Sequence, residues 1–180
     1  MRIQPNDTLA LCIDFQEKLV PVMAQPQQVV SRAAILLKGL EVLGVPALIT
    51  RQYPKGLGDT VEEIAQSAPN APQLDKLAFS CWQDEAIRSH IEAQGKKTIL
   101  LCGIECHICV LQTALDLLEA GYQVVLAADA TGSRKEEDKA LGLQRFCQEG
   151  GRITSVEAIL FELTQVAGTP QFKAISRLIK

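Results

Sequence analysis

The sequence predicts an α/β protein: a three-layer, doubly wound (Rossmann-like) sheet of six parallel strands in the order 3-2-1-4-5-6, with helices on both faces. Three observations predict it. Short apolar runs of strand length alternate with longer stretches of helical periodicity along the chain, the pattern of repeated β-α-β units. The runs are apolar on consecutive residues, as in strands covered on both faces. Glycines at 44, 95, 121 and 150 close the helical stretches, where a helix C-terminus favours them. Right-handed crossovers and a switch between the first and fourth strands give the strand order. At 180 residues the chain has the length of one domain, and 1–180 is read as such.

Residues 8–13, TLALCI, form the first strand, and Asp14 stands at its carboxyl end. A helix is expected over about 27–43, where Val29, Ala33, Leu36, Leu37, Leu40 and Leu43 recur opposite Arg32, Lys38 and Glu41. The second strand is VPALIT, 45–50, followed by the loop RQYPKGLGDT and a weak helix near 59–66. LDKLAF, 74–79, reads as a short third strand carrying Lys76. A helix near 83–94 leads to the fourth strand, 97–102, and a helix over about 107–120 follows. The fifth strand, 122–129, ends on a second acid, Asp129. Ser133 and Glu136 have the spacing of a capping box for a helix over 134–149. RITSV, 152–156, is the sixth strand; a helix from Glu157 to about Leu163 and one starting at Thr169-Pro170 complete the chain. The helix over 107–120 has only Gln112, Asp116 and Glu119 as its polar stripe. It is therefore expected to be covered on more than one side, within its own domain or by a second copy in a homo-oligomer, a dimer or higher.

A net charge of −3 and a pI near 5.5, with no run of five basic residues, leave no footprint for nucleic acid. No apolar run reaches the length of a membrane span. The N-terminal MRIQPNDT is too polar for the apolar core of a signal peptide. The expectation is a cytoplasmic protein whose six cysteines are reduced. Cys12, Cys81, Cys102 and Cys147 lie in or beside apolar segments and read as packed thiols.

The switch-point crevice lies between the ends of the first and fourth strands, here Asp14 and the 103–109 turn. Cys109 sits at the mouth of the following helix, where the helix N-terminus and a nearby cation are expected to bring a thiol well below its ordinary pKa, to below about 7. Lys76 could supply the cation, Asp14 could hold that lysine and move protons, and the N–H groups of the 104–109 turn could form an oxyanion hole. Each residue also has an ordinary reading: a helix cap, a solvated lysine, a packed thiol. Cys102, Cys106 and Cys109 have the C-x₃-C-x₂-C spacing of an iron–sulfur site, and Cys106 with Cys109 forms a C-x-x-C that could serve redox chemistry. Cys102 lies inside a strand and no second cysteine pair completes a zinc site, so neither metal nor other cofactor is expected. His107 is two residues from Cys109, a spacing that does not face it on a helix; it lines the pocket or bonds locally. Phosphate-binding loops are missing, and Asp14-Phe15-Gln16 lacks the second carboxylate of a D-x-D phosphatase.

These residues resemble the isochorismatase-like cysteine hydrolases. The resemblance covers nearly the whole chain and rests on LCIDFQEKL, TRQYPKG, LDKLAFSCW and, above all, GIECHICVLQTALDLLEAGYQVVLAADATGSR at 103–134. It implies an Asp-Lys-Cys triad at Asp14, Lys76 and Cys109. It also implies a non-proline cis peptide at Ile104–Glu105, and an oxyanion hole from the N–H groups of Glu105 and Cys109. The implied activity is cleavage of a C–N, amide-like bond of a small molecule through a Cys109 thioester. Phe15, Gln52, Phe79, Trp82 and His107 are the expected pocket lining. Nicotinamidase-type members bind a metal after the second strand, where this chain has Gln52-Tyr53-Pro54-Lys55; isochorismatases proper lack the nucleophilic cysteine. Two other outcomes stay open: a non-catalytic oligomeric scaffold that kept the triad, and a thiol redox protein using Cys106 and Cys109.

Overall fold

A computed structural model describes residues 2–180; Met1, the first residue of the polar N-terminal stretch, lies outside them. The strands are β1 Thr8–Ile13, β2 Ala47–Gln52, β3 Gln73–Lys76, β4 Thr98–Ile104, β5 Gln123–Gly132 and β6 Arg152–Thr154. They form one sheet in the order β3-β2-β1-β4-β5-β6, and every pairing is parallel. The helices are α1 Pro26–Val42, α2 Pro54–Leu57, α3 Glu62–Ser67, α4 Glu85–Ala93, α5 Leu111–Glu119, α6 Glu136–Gln148, α7 Val156–Thr164 and α8 Pro170–Ile179.

The central strands are buried along their whole length, which is why their sequences are apolar without a gap. Alternate residues still serve different faces. Ala10 and Cys12 join Leu100 and Cys102 beneath α1, α7 and α8. Leu9, Leu11 and Ile13 join Ile99 and Leu101 beneath α4 and α5, with Phe146 of α6. α1 meets the sheet through Val29, Ala33, Leu36, Leu37 and Leu40, the stripe its periodicity marks.

The observed elements depart from the expected ones mostly at their ends. β2 runs to Gln52 rather than stopping at 50, because β3 pairs with it residue for residue up to Gln52 and Lys76. β3 stops at Lys76 instead of 79; the apolar residues after it leave the sheet, and Leu77 and Phe79 are 75% and 54% exposed. β5 continues to Gly132, so Asp129 lies inside the strand. There its carboxylate accepts the Val156 N–H at the start of α7 (2.9 Å) and faces Arg32, a helix cap far from the switch point. The Ser133–Glu136 capping box does not form: Lys135 occupies the N-cap position with no side-chain bond. The turn expected as the first part of one long helix is a π-helical turn, Cys106–Val110, before α5 begins at Leu111. Cys147, expected to be packed, is exposed. α5 buries Leu111, Thr113, Ala114 and Leu117 and leaves Leu115 and Leu118 half-buried, so most of its apolar surface is covered by its own chain.

One glycine fixes how closely β1 and β4 approach at the switch point. Gly103 has φ 147° and pairs with Ile13; a Cβ there would stand 2.5 Å from the Ile13 carbonyl oxygen. Gly103→Ala is expected to lose at least about 2 kcal/mol of stability, from a disfavoured backbone region and from overpacking against main chain. Urea unfolding measures it; a loss below about 0.5 kcal/mol would show that the strands can separate at no cost.

Candidate active site

The site is assembled from four strand ends. Alternation along β1 would send residue 14 toward α1 with Ala10 and Cys12, but Asp14 has a left-handed backbone, φ 57°. Asp tolerates that conformation better than most residues, and the turn directs its carboxylate to the opposite side, among side chains from β2 and β3. Asp14 is fully buried, so its charge needs partners. Oδ1 accepts the Thr50 hydroxyl at 2.8 Å and Oδ2 accepts the Lys76 ammonium at 2.6 Å.

Lys76, the last residue of β3, is as deeply buried as its partner. Its ammonium has three hydrogens and three acceptors: Asp14 Oδ2, Gln52 Oε1 at 2.7 Å and the Phe79 carbonyl at 3.1 Å. Burial pulls its pKa down, but Asp14, with Cys81 and Cys109 behind it, outweighs burial and holds it above the ordinary lysine value. Gln52 is fixed in turn. Its Nε2 donates to the Leu77 carbonyl (2.8 Å). Gln16 grips its backbone from both sides, Oε1 accepting the Gln52 N–H (2.7 Å) while Nε2 donates to the Gln52 carbonyl (3.0 Å) and to that of Gly58 (2.7 Å).

Cys109, 6% exposed, presents its thiol to this cluster. Its pKa is pushed up to about 12: burial disfavours the thiolate, the Asp14 charge and a hydrogen bond to Asp14 add to the effect, and Lys76 only partly opposes them. This corrects the expectation of a thiol titrating below 7. The helix start is there, yet the sulfur faces a carboxylate as well as the cation. Cys81 lies in the same cluster. Its Sγ is 3.9 Å from the Thr50 hydroxyl and its N–H donates to Thr113, one turn beyond Cys109 (2.9 Å). Burial and Asp14 push this second thiol up to about 11.

The other expected site residues divide. Glu105 lies at the head of the π-helical turn that carries Cys109, after a cis peptide from Ile104; its carboxylate accepts from Arg134 Nε at 2.9 Å. Gln52 bonds Lys76 through its side chain and Phe79 does so through its carbonyl, the residue being 54% exposed. Phe15 is fully buried in the layer beneath α1 and presents no surface to a substrate. Trp82 packs edge-on against Tyr122, just before β5 begins, at the opposite end of the sheet from the triad. His107 turns toward α6, with Nδ1 3.0 Å from Ser133 Oγ. The three clustered cysteines do not converge. Cys102 lies against Cys12 and the Leu11 carbonyl, Cys106 is 3.8 Å from the Lys139 carbonyl, and Cys109 faces Asp14. Cys106 and Cys109 therefore look into different surroundings, against the redox pairing. Sequence reasoning missed Gln16, Thr50 and Cys81. Of these, only Gln16, a polar residue two positions after the strand-end Asp14, carried any local signal.

A thiol whose pKa is raised by Asp14 has a distinctive alkylation profile. Iodoacetamide should modify Cys109 slowly at neutral pH, about tenfold faster for each pH unit up to roughly pH 10, with no plateau. Asp14→Asn removes one cause of the upward shift, so it should speed alkylation at any fixed pH in that range. Mass spectrometry locates the adduct. A rate already flat above about pH 7 and unchanged by Asp14→Asn would mean a preformed thiolate instead.

Comparison with known proteins gives this arrangement a family. The Isochorismatase domain family matches residues 8–158. The chain is 39% identical over 184 residues to the secreted isochorismatase effector Isc1 of Phytophthora sojae, covering 99% of this chain and 87% of that protein. It is 39% identical over 180 residues to isochorismatase domain-containing protein 2A of Mus musculus, covering 99% and 85%. Among solved structures, the MAR1 ribonuclease of Caenorhabditis elegans superposes with a TM-score of 0.93 at 33% identity, covering 99% of this chain and 92% of that one. The shared strand order and the length of these matches leave one assignment: the chain belongs to the isochorismatase family.

Proposed function

We propose that the chain is a cysteine hydrolase that cleaves a C–N, amide-like bond of a small molecule through a thioester on Cys109. Membership of the isochorismatase family supports a hydrolase role. The observation that carries the finer reading is a thiol, a carboxylate and an ammonium in one buried cluster at the switch point. Structural ion pairs seldom include an adjacent, partly accessible thiol.

The raised pKa of Cys109 shapes the mechanism. The resting sulfur is protonated and hydrogen-bonded to Asp14. As it attacks the carbonyl carbon, its proton passes to Asp14, so the nucleophile is generated only in the act. Negative charge developing on the carbonyl oxygen is met by the N–H groups of Glu105 and Cys109. The C–N bond breaks as Asp14 returns the proton to nitrogen, leaving an acyl group on sulfur. Water then attacks the thioester as Asp14 takes its proton; the C–S bond breaks, the carboxylic acid leaves and Asp14 returns the proton to sulfur. Lys76 keeps its proton throughout and holds Asp14 in place.

The reading requires no metal or other cofactor. The six cysteines are all free thiols, which suits a reducing, cytoplasmic compartment. No helix among the described residues is long and apolar enough to cross a membrane. Tyr53, Leu77 and Phe79, 51%, 75% and 54% exposed, flank Gln52 and Lys76. An apolar lip of this kind supports a homo-oligomer closed over the site. Light scattering should then give a mass of at least twice 19.6 kDa, and a monomer at micromolar concentration would remove that part.

The decisive assay is release of ammonia or amine from a panel of small carboxamides, comparing wild type with Cys109→Ala, with mass spectrometry of the acid-quenched enzyme for an acyl adduct. Turnover at least about 1,000-fold above Cys109→Ala is expected for some member of the panel. RNA belongs in the same experiment because the C. elegans neighbour is described as a ribonuclease. RNA cleavage abolished by Cys109→Ala, with every amide inert, would replace the amide reading. No turnover and no adduct with any compound would favour the non-catalytic scaffold.

A further inference from the structure

β4 holds only one end of the nucleophile turn. The turn itself, Cys106–Val110, is π-helical, with the Val110 N–H reaching back to the Glu105 carbonyl (3.2 Å). Such a turn is wider than an α-helical one and lies readily at functional sites. Without outside contacts it is free to tighten. Cys109 and Val110 face the core and the Asp14 cluster; the contacts on the other side come from α6 and the segment that enters it from β5.

Four of them are made by the side chains of Glu105 and His107. Glu105 accepts from Arg134 twice, at Nε (2.9 Å) and at the backbone N–H (3.4 Å). His107 places Nδ1 3.0 Å from Ser133 Oγ and Nε2 4.0 Å from Asp138 Oδ2. Cys106 Sγ also lies 3.8 Å from the Lys139 carbonyl of α6, and main chain approaches closely as well. Gly142 lies inside α6, where a Cβ would stand 3.1 Å from His107 Cα and 3.3 Å from Cys106 Sγ. Glycine within a helix is unfavourable relative to alanine, so its presence there needs a reason. The approach of α6 to the turn supplies one. Meanwhile α6 is anchored to the core separately, by the fully buried Phe146.

We propose that α6 is the positioning element of the nucleophile turn, with Gly142 as its point of closest approach and Arg134 and Ser133 fixing the turn's first residues. This rests on the reading of Cys109 as the nucleophile. These residues touch neither the sulfur nor the acid; they act by keeping the turn where Cys109 meets Asp14. Two influences keep the proton on that sulfur, burial and Asp14. Anything that slackens the turn relieves both, so a displaced Cys109 behaves more like an ordinary thiol.

The test is iodoacetamide alkylation of Cys109 in wild type, Gly142→Ala, Arg134→Ala, Arg134→Lys and Asp14→Asn. The exposed Cys147 serves as internal reference, and thermal melting follows the fold. At fixed pH below about 10, Gly142→Ala and Arg134→Ala should alkylate at Cys109 about threefold faster or more, the effect of half a pKa unit. Cys147 should not change. Arg134→Lys should return the rate toward wild type. A purely structural role would move the melting temperature and leave these rates alone. Should Gly142→Ala fail to fold, Arg134→Ala carries the test, because that side chain is 57% exposed. Rates within twofold of wild type in the folded variants, with Asp14→Asn accelerated, would overturn the proposal while sparing the nucleophile reading. An Asp14→Asn enzyme indistinguishable from wild type would overturn both.

Discussion

The structure of the site depends on one buried ion pair, Asp14 with Lys76, at 2.6 Å and without solvent contact on either side chain. Such a pair is weak as a source of stability. Apolar residues of similar volume often serve the fold as well or better, by about 1–4 kcal/mol, whereas removing one partner costs about 3–5 kcal/mol. The surroundings answer the second danger. Thr50, Gln52 and the Phe79 carbonyl take up the remaining capacity of both groups, and no buried side-chain polar atom among the described residues lacks a partner. An arrangement so costly to desolvate, and so completely satisfied, is easier to understand as chemistry than as a staple.

Its polarity also explains the state of the thiol. A cysteine beside a lone lysine would ionise more readily; beside an ammonium already paired with a carboxylate, it does not. Burial and the carboxylate push Cys109 up to about 12 despite Lys76. The resting protein is thus spared a permanent thiolate, which oxidants attack first. In the proposed mechanism the base is the neighbouring Asp14, so proton transfer can accompany bond formation.

Much of this was legible in the sequence. Apolar runs mark β1, β2, β4 and β5, with β3 and β6 short and largely polar, and their alternation with helices fixes the switch point, so topology alone brings Asp14 and Cys109 together. The failures share a physical origin. Periodicity identifies an element but not its last residue, which register and side-chain bonds decide. The sequence predicts β3 to run three residues further because Leu77 and Phe79 are apolar, yet this edge strand ends at Lys76 and leaves them at the surface. Ser133 has the spacing of a capping residue, but its hydroxyl lies beside His107 instead. Phe15 and Trp82 looked like pocket residues by nearness in sequence; the first turns into the core under α1 and the second toward Tyr122. Thr50 and Cys81 carry no local signal, and Gln16 only a faint one, because their partners lie 31 to 42 residues away.

Register is where fold and site become one constraint. Gln52 and Lys76 are direct partners across β2 and β3, Ile13 pairs with Thr50 across β1 and β2, and Ile13 pairs again with Gly103 across β1 and β4. In a parallel sheet, a slip of one residue turns every side chain of the moving strand to the other face. A slip at β3 would withdraw the ammonium and set Leu77 against Asp14; a slip at β2 would remove Thr50 and Gln52 together. A strand buried on both faces gives little warning of such an error through hydrophobicity alone, since both faces are apolar. The polar cluster therefore does for β2 and β3 what alternation does for a half-exposed strand: it makes one register far better than its neighbours. The buried charges beside Cys109 are also what specify the alignment of the edge of the sheet that holds them.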